Sequence, residues 1–271
     1  MDMIEGTMEH ALPFYSFGAG EPLVVLRWFT VDHANPHGLE RHAELRVLSP
    51  LAAHREVFAI NRAPDMPAGT TMSDIAREHA EALDAFFGKP VDVLGMSSGG
   101  SLALQLAAEH PRVVRRLVIA GAAYTLTEQT RDAQRDYTAA IAAGKRGAHH
   151  QVPITVRNPL LQTLLTPILW LSDPLLRPEN PLDMLHFAQA EDTFDVADRL
   201  ATITAPTLVI GGADDLAYTP ELFQATADGI PGGRLISYPG TGHMSTFSSK
   251  RFATDILEFL DAPGSGADEV D

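Results

Sequence analysis

Short apolar runs alternate along this chain with segments of helical spacing, and that alternation limits the folds open to it. PLVVL at 22–26, VFAI at 57–60, VDVL at 91–94, LVI at 117–119, TLVI at 207–210 and LISY at 235–238 read as strands. Runs this short and this apolar suit a sheet covered on both faces. Between them, TMSD at 71–74 resembles a capping box. It is followed by Ile75, His79, Leu83 and Phe86 at helical spacing and stopped by Gly88 and Pro90. Further helices are expected at 101–109, 221–227 and 251–260. Strand and helix in series predict an α/β fold, a mostly parallel central sheet with helices on both faces.

The alternation breaks once. From about residue 124 to 200 no strand is expected, while helical segments and six prolines are. Leu160, Leu161, Leu164, Leu165, Ile168 and Leu169 form two adjacent apolar columns on one helical face, and Pro167 is expected to kink that helix. The stretch reads as a helical cap inserted into a core made of residues 1–123 and 201–261. Insertions at strand C-termini border the ligand crevice, so Leu164 and Leu165 are expected to touch substrate; the alternative is that both columns pack inside the cap. The polar tail, residues 262–271, is expected to be disordered.

Composition excludes several classes. The 20 Lys+Arg against 35 Asp+Glu leave a net charge of −15, the wrong sign for nucleic acid or an anionic membrane. With no cysteine there are no disulfides, thiolate metal sites or cysteine nucleophiles. The N-terminal residues lack a basic region followed by an apolar one, and no run is long enough to span a membrane, so a cytoplasmic protein acting on a small molecule, as monomer or homodimer, is the expectation. No dinucleotide, Walker or deaminase motif is present, and no cofactor is expected. His33, His37 and His42 lie close in sequence, but Pro36 and Gly38 argue against a helical metal pair; solvated loop and helix positions are expected, and no metal. His149 and His150 are read as exposed cap-loop residues. Glu191, Asp192 and Asp195 are read as capping or solvating the end of the insertion.

Within this frame, Gly95-Met96-Ser97-Ser98-Gly99 is a G-x-S-x-G pentad between an expected strand and helix. A serine on so sharp a turn takes a strained backbone, and side chains two residues to either side would collide; glycine removes the collision. The following helix turns its N-terminal N–H groups toward the serine, where negative charge is stabilised. A serine nucleophile needs a base and the base an orienting acid. Asp214 and Asp215 follow the strand at 207–210, and His243 follows the strand at 235–238, so all three emerge at one edge of the sheet.

On GMSSG at 95–99, PTLVIGGADD at 206–215 and YPGTGH at 238–243, the chain resembles the α/β-hydrolase superfamily, in its capped serine-hydrolase group, from about residue 13 to 260. The resemblance implies Ser97 as nucleophile, His243 as general base and an acid three residues after a strand-ending glycine, which from Gly212 is Asp215. It implies an esterase on a small or medium, largely apolar ester. The same triad serves lactonases, thioesterases, C–C hydrolases and perhydrolases, and a non-catalytic ligand-binding relative is the alternative of another class. One segment departs from the family: where His-Gly commonly follows the first core strand, this chain has Arg27-Trp28-Phe29-Thr30. The oxyanion donors are therefore expected to be the N–H of Ser98 and that of Phe29, with Trp28 a pocket wall or a core residue.

Overall fold

A computed structural model describes residues 3–175 and 177–263. Eight strands form one sheet: β1 (Met3–Thr7), β2 (Pro13–Gly18), β3 (Pro22–Leu26), β4 (Glu56–Ile60), β5 (Val91–Met96), β6 (Val114–Ala120), β7 (Thr207–Gly212) and β8 (Arg234–Tyr238). Their order is β1-β2-β4-β3-β5-β6-β7-β8. β1 and β2 are antiparallel to their neighbours, and every pair from β4 to β8 is parallel. All six expected strands are present. The antiparallel pair β1–β2 is additional, and it carries the sheet to an edge where Phe14 and Phe17 bury.

Strand residues alternate between two cores, as the pleat requires. Val24, Leu26, Phe58, Val93, Ile119 and Val209 face α2 (Met72–Phe87), α3 (Ser98–Glu109) and α8 (Pro220–Gly229). Leu23, Val25, Val57, Leu94, Val118 and Ile210 face α1 (Gly38–Ala52) and α10 (Phe252–Asp261). The capping box opening α2 is formed: Thr71 accepts from the Asp74 N–H while the Asp74 carboxylate accepts from the Thr71 N–H, and Gly88 closes the helix at φ 61°. α1 is a helix the sequence pattern did not announce, because charged residues interrupt its apolar face and Pro50 sits in its last turn.

Between β6 and β7 lies the helical insert: α4 (Glu128–Ala142), α5 (Val152–Thr155), α6 (Pro159–Ser172) and α7 (Pro181–Asp192). Its two ends are tied where Thr125 bridges Asp195 and the Val196 N–H donates to Tyr124 O at 3.0 Å. The helical backbone of α6 continues through Pro167, where a kink was expected. No residue of α6 is buried, so its columns do not form the cap's own core. Of the acidic tail, residues 264–271 lie outside the described residues. Among the described residues no helix is long and apolar enough to cross a membrane.

Candidate active site

The end of β5 turns into α3 at Ser97, whose φ of 50° and ψ of −125° are strained for a residue with a Cβ. Neighbouring hydrogen bonds hold it there: the Ser97 N–H donates to Ala120 O at 2.8 Å, and Ser97 O accepts from the Gly100 N–H at 2.6 Å. The glycines around it make room for backbone. A Cβ on Gly99 would lie 2.1 Å from Leu26 O and 2.6 Å from Arg27 O, so the chain leaving β3 passes directly over the elbow. A Cβ on Gly95 would lie 2.5 Å from Gly99 O.

Ser97 Oγ lies 2.9 Å from His243 Nε2, and His243 Nδ1 lies 2.9 Å from Asp215 Oδ2. A carboxylate can only accept, so Nδ1 carries the proton and Nε2 is left as acceptor for the serine hydroxyl. His243 opens α9 (His243–Phe247). Asp215 is buried, and its Oδ1 accepts from the Ala217 and Tyr218 N–H groups at 2.9 and 3.2 Å. Asp214 has a different neighbour: its carboxylate pairs with Arg157 of the insert, so it is neither on the histidine nor a freely solvated loop carboxylate. The geometry separates the two acids that the sequence left adjacent.

Ser97 and His243 floor a cavity of about 240 Å³. Trp28, Phe29, Met244 and Phe247 supply apolar walls; Thr130, Gln134, Gln151 and Thr155, from the insert, supply a polar one. His243 is the one ionisable imidazole in the lining, which contains no Asp, Glu, Lys or Arg. Leu164 and Leu165 are absent from the lining, and Leu164 is 58% exposed. The insert instead reaches the cavity through α4, α5 and the turn before α5, and α6 contributes no residue to the lining.

The segment that replaces His-Gly is held in place by two buried arginines. Arg27 points away from the cavity, onto Glu44 at 2.7 Å and Glu40 at 3.0 Å of α1. Arg62, which the sequence reading did not single out, lies behind the loop. Its Nη1 and Nη2 both donate to Trp28 O, at 3.3 and 3.2 Å; Nη1 also reaches Arg27 O at 3.3 Å, and Nη2 donates to Thr30 Oγ1 at 2.7 Å. A trans peptide places C=O and N–H on opposite edges of one plane. Holding Trp28 O therefore turns the Phe29 N–H away from the guanidinium. Among the described residues, neither that N–H nor the one on Ser98 has a hydrogen-bond partner, and both residues border the cavity.

His33 also belongs to this buried layer and not to a solvated loop. Nδ1 donates to Ala63 O at 2.8 Å, and Nε2 accepts from Arg62 Nε at 3.3 Å. Burial, then the Arg62 charge, pushes its imidazole down to about 3. Glu191, expected to solvate the insert's end, is fully buried and accepts from Gln134 Nε2 at 2.9 Å. Burial raises its carboxyl above the usual range despite the hydrogen bond from Gln134. Its burial beside the elbow also fixes Gln134, a cavity residue. Periodicity offered no signal for it, since a lone glutamate at a helix end usually meets water.

The profile of the Alpha/beta hydrolase family matches residues 28–255. The chain belongs to that family. It is 30% identical over 236 residues, 79% of this chain and 80% of the relative, to RutD of Yersinia enterocolitica serotype O:8, by name a candidate carbamate hydrolase. It is also 30% identical over 264 residues, 90% and 88% of the two chains, to the 2-hydroxymuconate semialdehyde hydrolase of Pseudomonas sp. strain CF600. Among solved structures, a thermophilic esterase from Thermogutta terrifontis superposes with a TM-score of 0.73 at 20% identity, over 96% of this chain and 98% of that one. This α/β hydrolase thus keeps the family's fold around a site with its own Arg27-Trp28 segment.

Proposed function

We propose that this hydrolase cleaves an ester or related acyl bond of a small, uncharged and largely apolar molecule through an acyl-enzyme on Ser97. One observation carries the reading: the unbroken hydrogen-bond line from Ser97 through His243 to Asp215 at the floor of a cavity bordered by two uncommitted N–H groups. Ser97 Oγ attacks the carbonyl carbon as its proton passes to His243 Nε2. Asp215 holds the tautomer and stabilises the imidazolium. The developing oxyanion is stabilised by the N–H groups of Ser98 and Phe29. Collapse releases the alcohol, protonated by His243; water then attacks the acyl-enzyme with the same histidine as base. Trp28 and Phe247, their rings 6.0 Å apart, form the apolar wall for the acyl group.

The absence of charged groups from the lining supports a neutral substrate, since a buried carboxylate or ammonium needs a partner. A carbamate is the second reading. Thr130, Gln134, Gln151 and Thr155 would meet a polar acyl substituent better than a plain alkyl chain, and one relative carries that activity in its name. Steady-state rates on a panel of neutral esters, lactones, carbamates and their carboxylate-bearing analogues test both. Neutral esters are expected to lead, with activity lost in Ser97→Ala; preference for the anionic analogues would overturn the substrate class, and turnover by Ser97→Ala above about a tenth of the native rate would overturn the mechanism.

A further inference from the structure

α6 is amphipathic, but its apolar stripe points outward. Leu161, Leu164, Ile168, Leu171 and, just past the helix, Leu175 are 48, 58, 49, 65 and 86% exposed. Leu160, at 81%, flanks them. The inward side carries Leu165 and Leu169 together with polar Gln162 and Thr166, all half-buried. A helix stabilised only within its own chain would be turned the other way. The outward residues follow a spacing of three, four, three and four, the seam that pairs one helix with another. The stretch 158–172 contains no Asp, Glu, Lys or Arg.

We propose that this seam is covered by the α6 of a second copy of the chain, running antiparallel about a twofold axis near Thr166. That axis places Leu161 against the partner copy's position 171, and Leu164 against its position 168, so these four side chains meet apolar partners and no like charges are brought together, while Leu160 and Leu175 lie at the two ends of the seam. A twofold interface needs such self-complementarity. The exposed apolar side chains from Leu160 to Leu175 offer roughly 700–800 Å² per copy, on the scale of the about 800 Å² per partner of a stable interface. Patches of this size are rare on monomers. A lipid surface fits less well. The chain carries a net charge of −15, and cations beside the helix are engaged within the chain. Arg146 lies over the Trp170 ring at 3.8 Å and Arg157 pairs with Asp214.

The native chain should sediment at twice its 29.3 kDa mass. Leu164→Glu with Ile168→Glu should halve that mass while circular dichroism and the thermal unfolding transition show a folded protein. Because the chain has no cysteine, introduced ones report unambiguously. Leu164→Cys with Ile168→Cys should form a covalent dimer on mild oxidation, whereas Leu39→Cys, 89% exposed on α1, should not. A native monomer across the micromolar range, a dimer that survives the paired glutamates, or a monomer that co-sediments with anionic phosphatidylserine vesicles would each overturn the proposal.

Discussion

Replacing Arg62 with Met should damage turnover far more than stability, and the contacts say why. The substitution leaves Arg27 O and Trp28 O without their buried donor, a cost of about 1–3 kcal/mol per unpaired group. Against that, Arg62 is fully buried and, among the described residues, pairs with no carboxylate. Removing an unpaired buried cation returns free energy on the order of several kcal/mol. The two terms oppose, so the unfolding midpoint should move little. Catalysis has no such offset. Once Trp28 O is released, the Phe29 N–H is no longer held toward the oxyanion, and loss of one donor costs about 2.7–4 kcal/mol, or 10²–10³ in kcat. KM for a p-nitrophenyl ester should change little, because the donor acts on charge that develops in the transition state. Affinity for a neutral boronate that becomes tetrahedral on Ser97 should fall in parallel with kcat. Arg62→Lys, with one ammonium that cannot span both carbonyls and Thr30, should fall between the two. Stopped-flow and steady-state kinetics beside urea unfolding make the comparison. Turnover within about threefold of native, together with a large loss of stability, would refute the claim that Arg62 acts through the oxyanion loop.

Three further outcomes follow from the same geometry. Asp215→Asn should cost about 10⁴ in kcat by imposing the wrong tautomer, while Asp214→Asn, which breaks only the link to Arg157, should leave kcat near native; equal losses in a side-by-side assay would contradict the assignment. Gly99→Ala should destabilise by about 1–3 kcal/mol or more, because backbone rather than a flexible side chain blocks the new methyl, and kcat should drop as Leu26 and Arg27 are displaced; denaturant midpoints and ester kinetics read both. His33 is held neutral down to about 3 against an ordinary 6.5. Its contribution is therefore present above pH 6.5 and lost as the unfolded chain gains the proton below it, about 2 kcal/mol by pH 5. His79, pushed down to about 4 by burial, adds in the same direction. His33→Gln should flatten the fall in urea stability between pH 7 and pH 5, and an unchanged slope would remove His33 from the account.

The parallel sheet, the capping box, the insert and the order of serine, acid and histidine were legible because each rests on local chemistry. Gly88, Gly95 and Gly99 advertise their turns, and apolar runs advertise buried strands. What stayed hidden depends on distant partners. Arg62 drew no notice and Glu191 read as capping or solvating the insert's end, because nothing nearby in sequence shows that a loop 35 residues upstream or an elbow from another element will bury them. The α6 leucines misled for the opposite reason. Their periodicity states that the face wants cover, not whether substrate, cap or a second chain supplies it. Asp214 and Asp215 were separable only by a count borrowed from a family resemblance until the distance to His243 was known.

If Ser97 is a nucleophile made reactive by His243, it can be trapped covalently. Intact-mass and peptide mass spectrometry after treatment with a fluorophosphonate should find one adduct per chain, on the peptide containing Ser97. The adduct should be absent in Ser97→Ala and form far more slowly in His243→Ala. A folded native protein that takes no label, or one labelled equally in Ser97→Ala, would contradict the account.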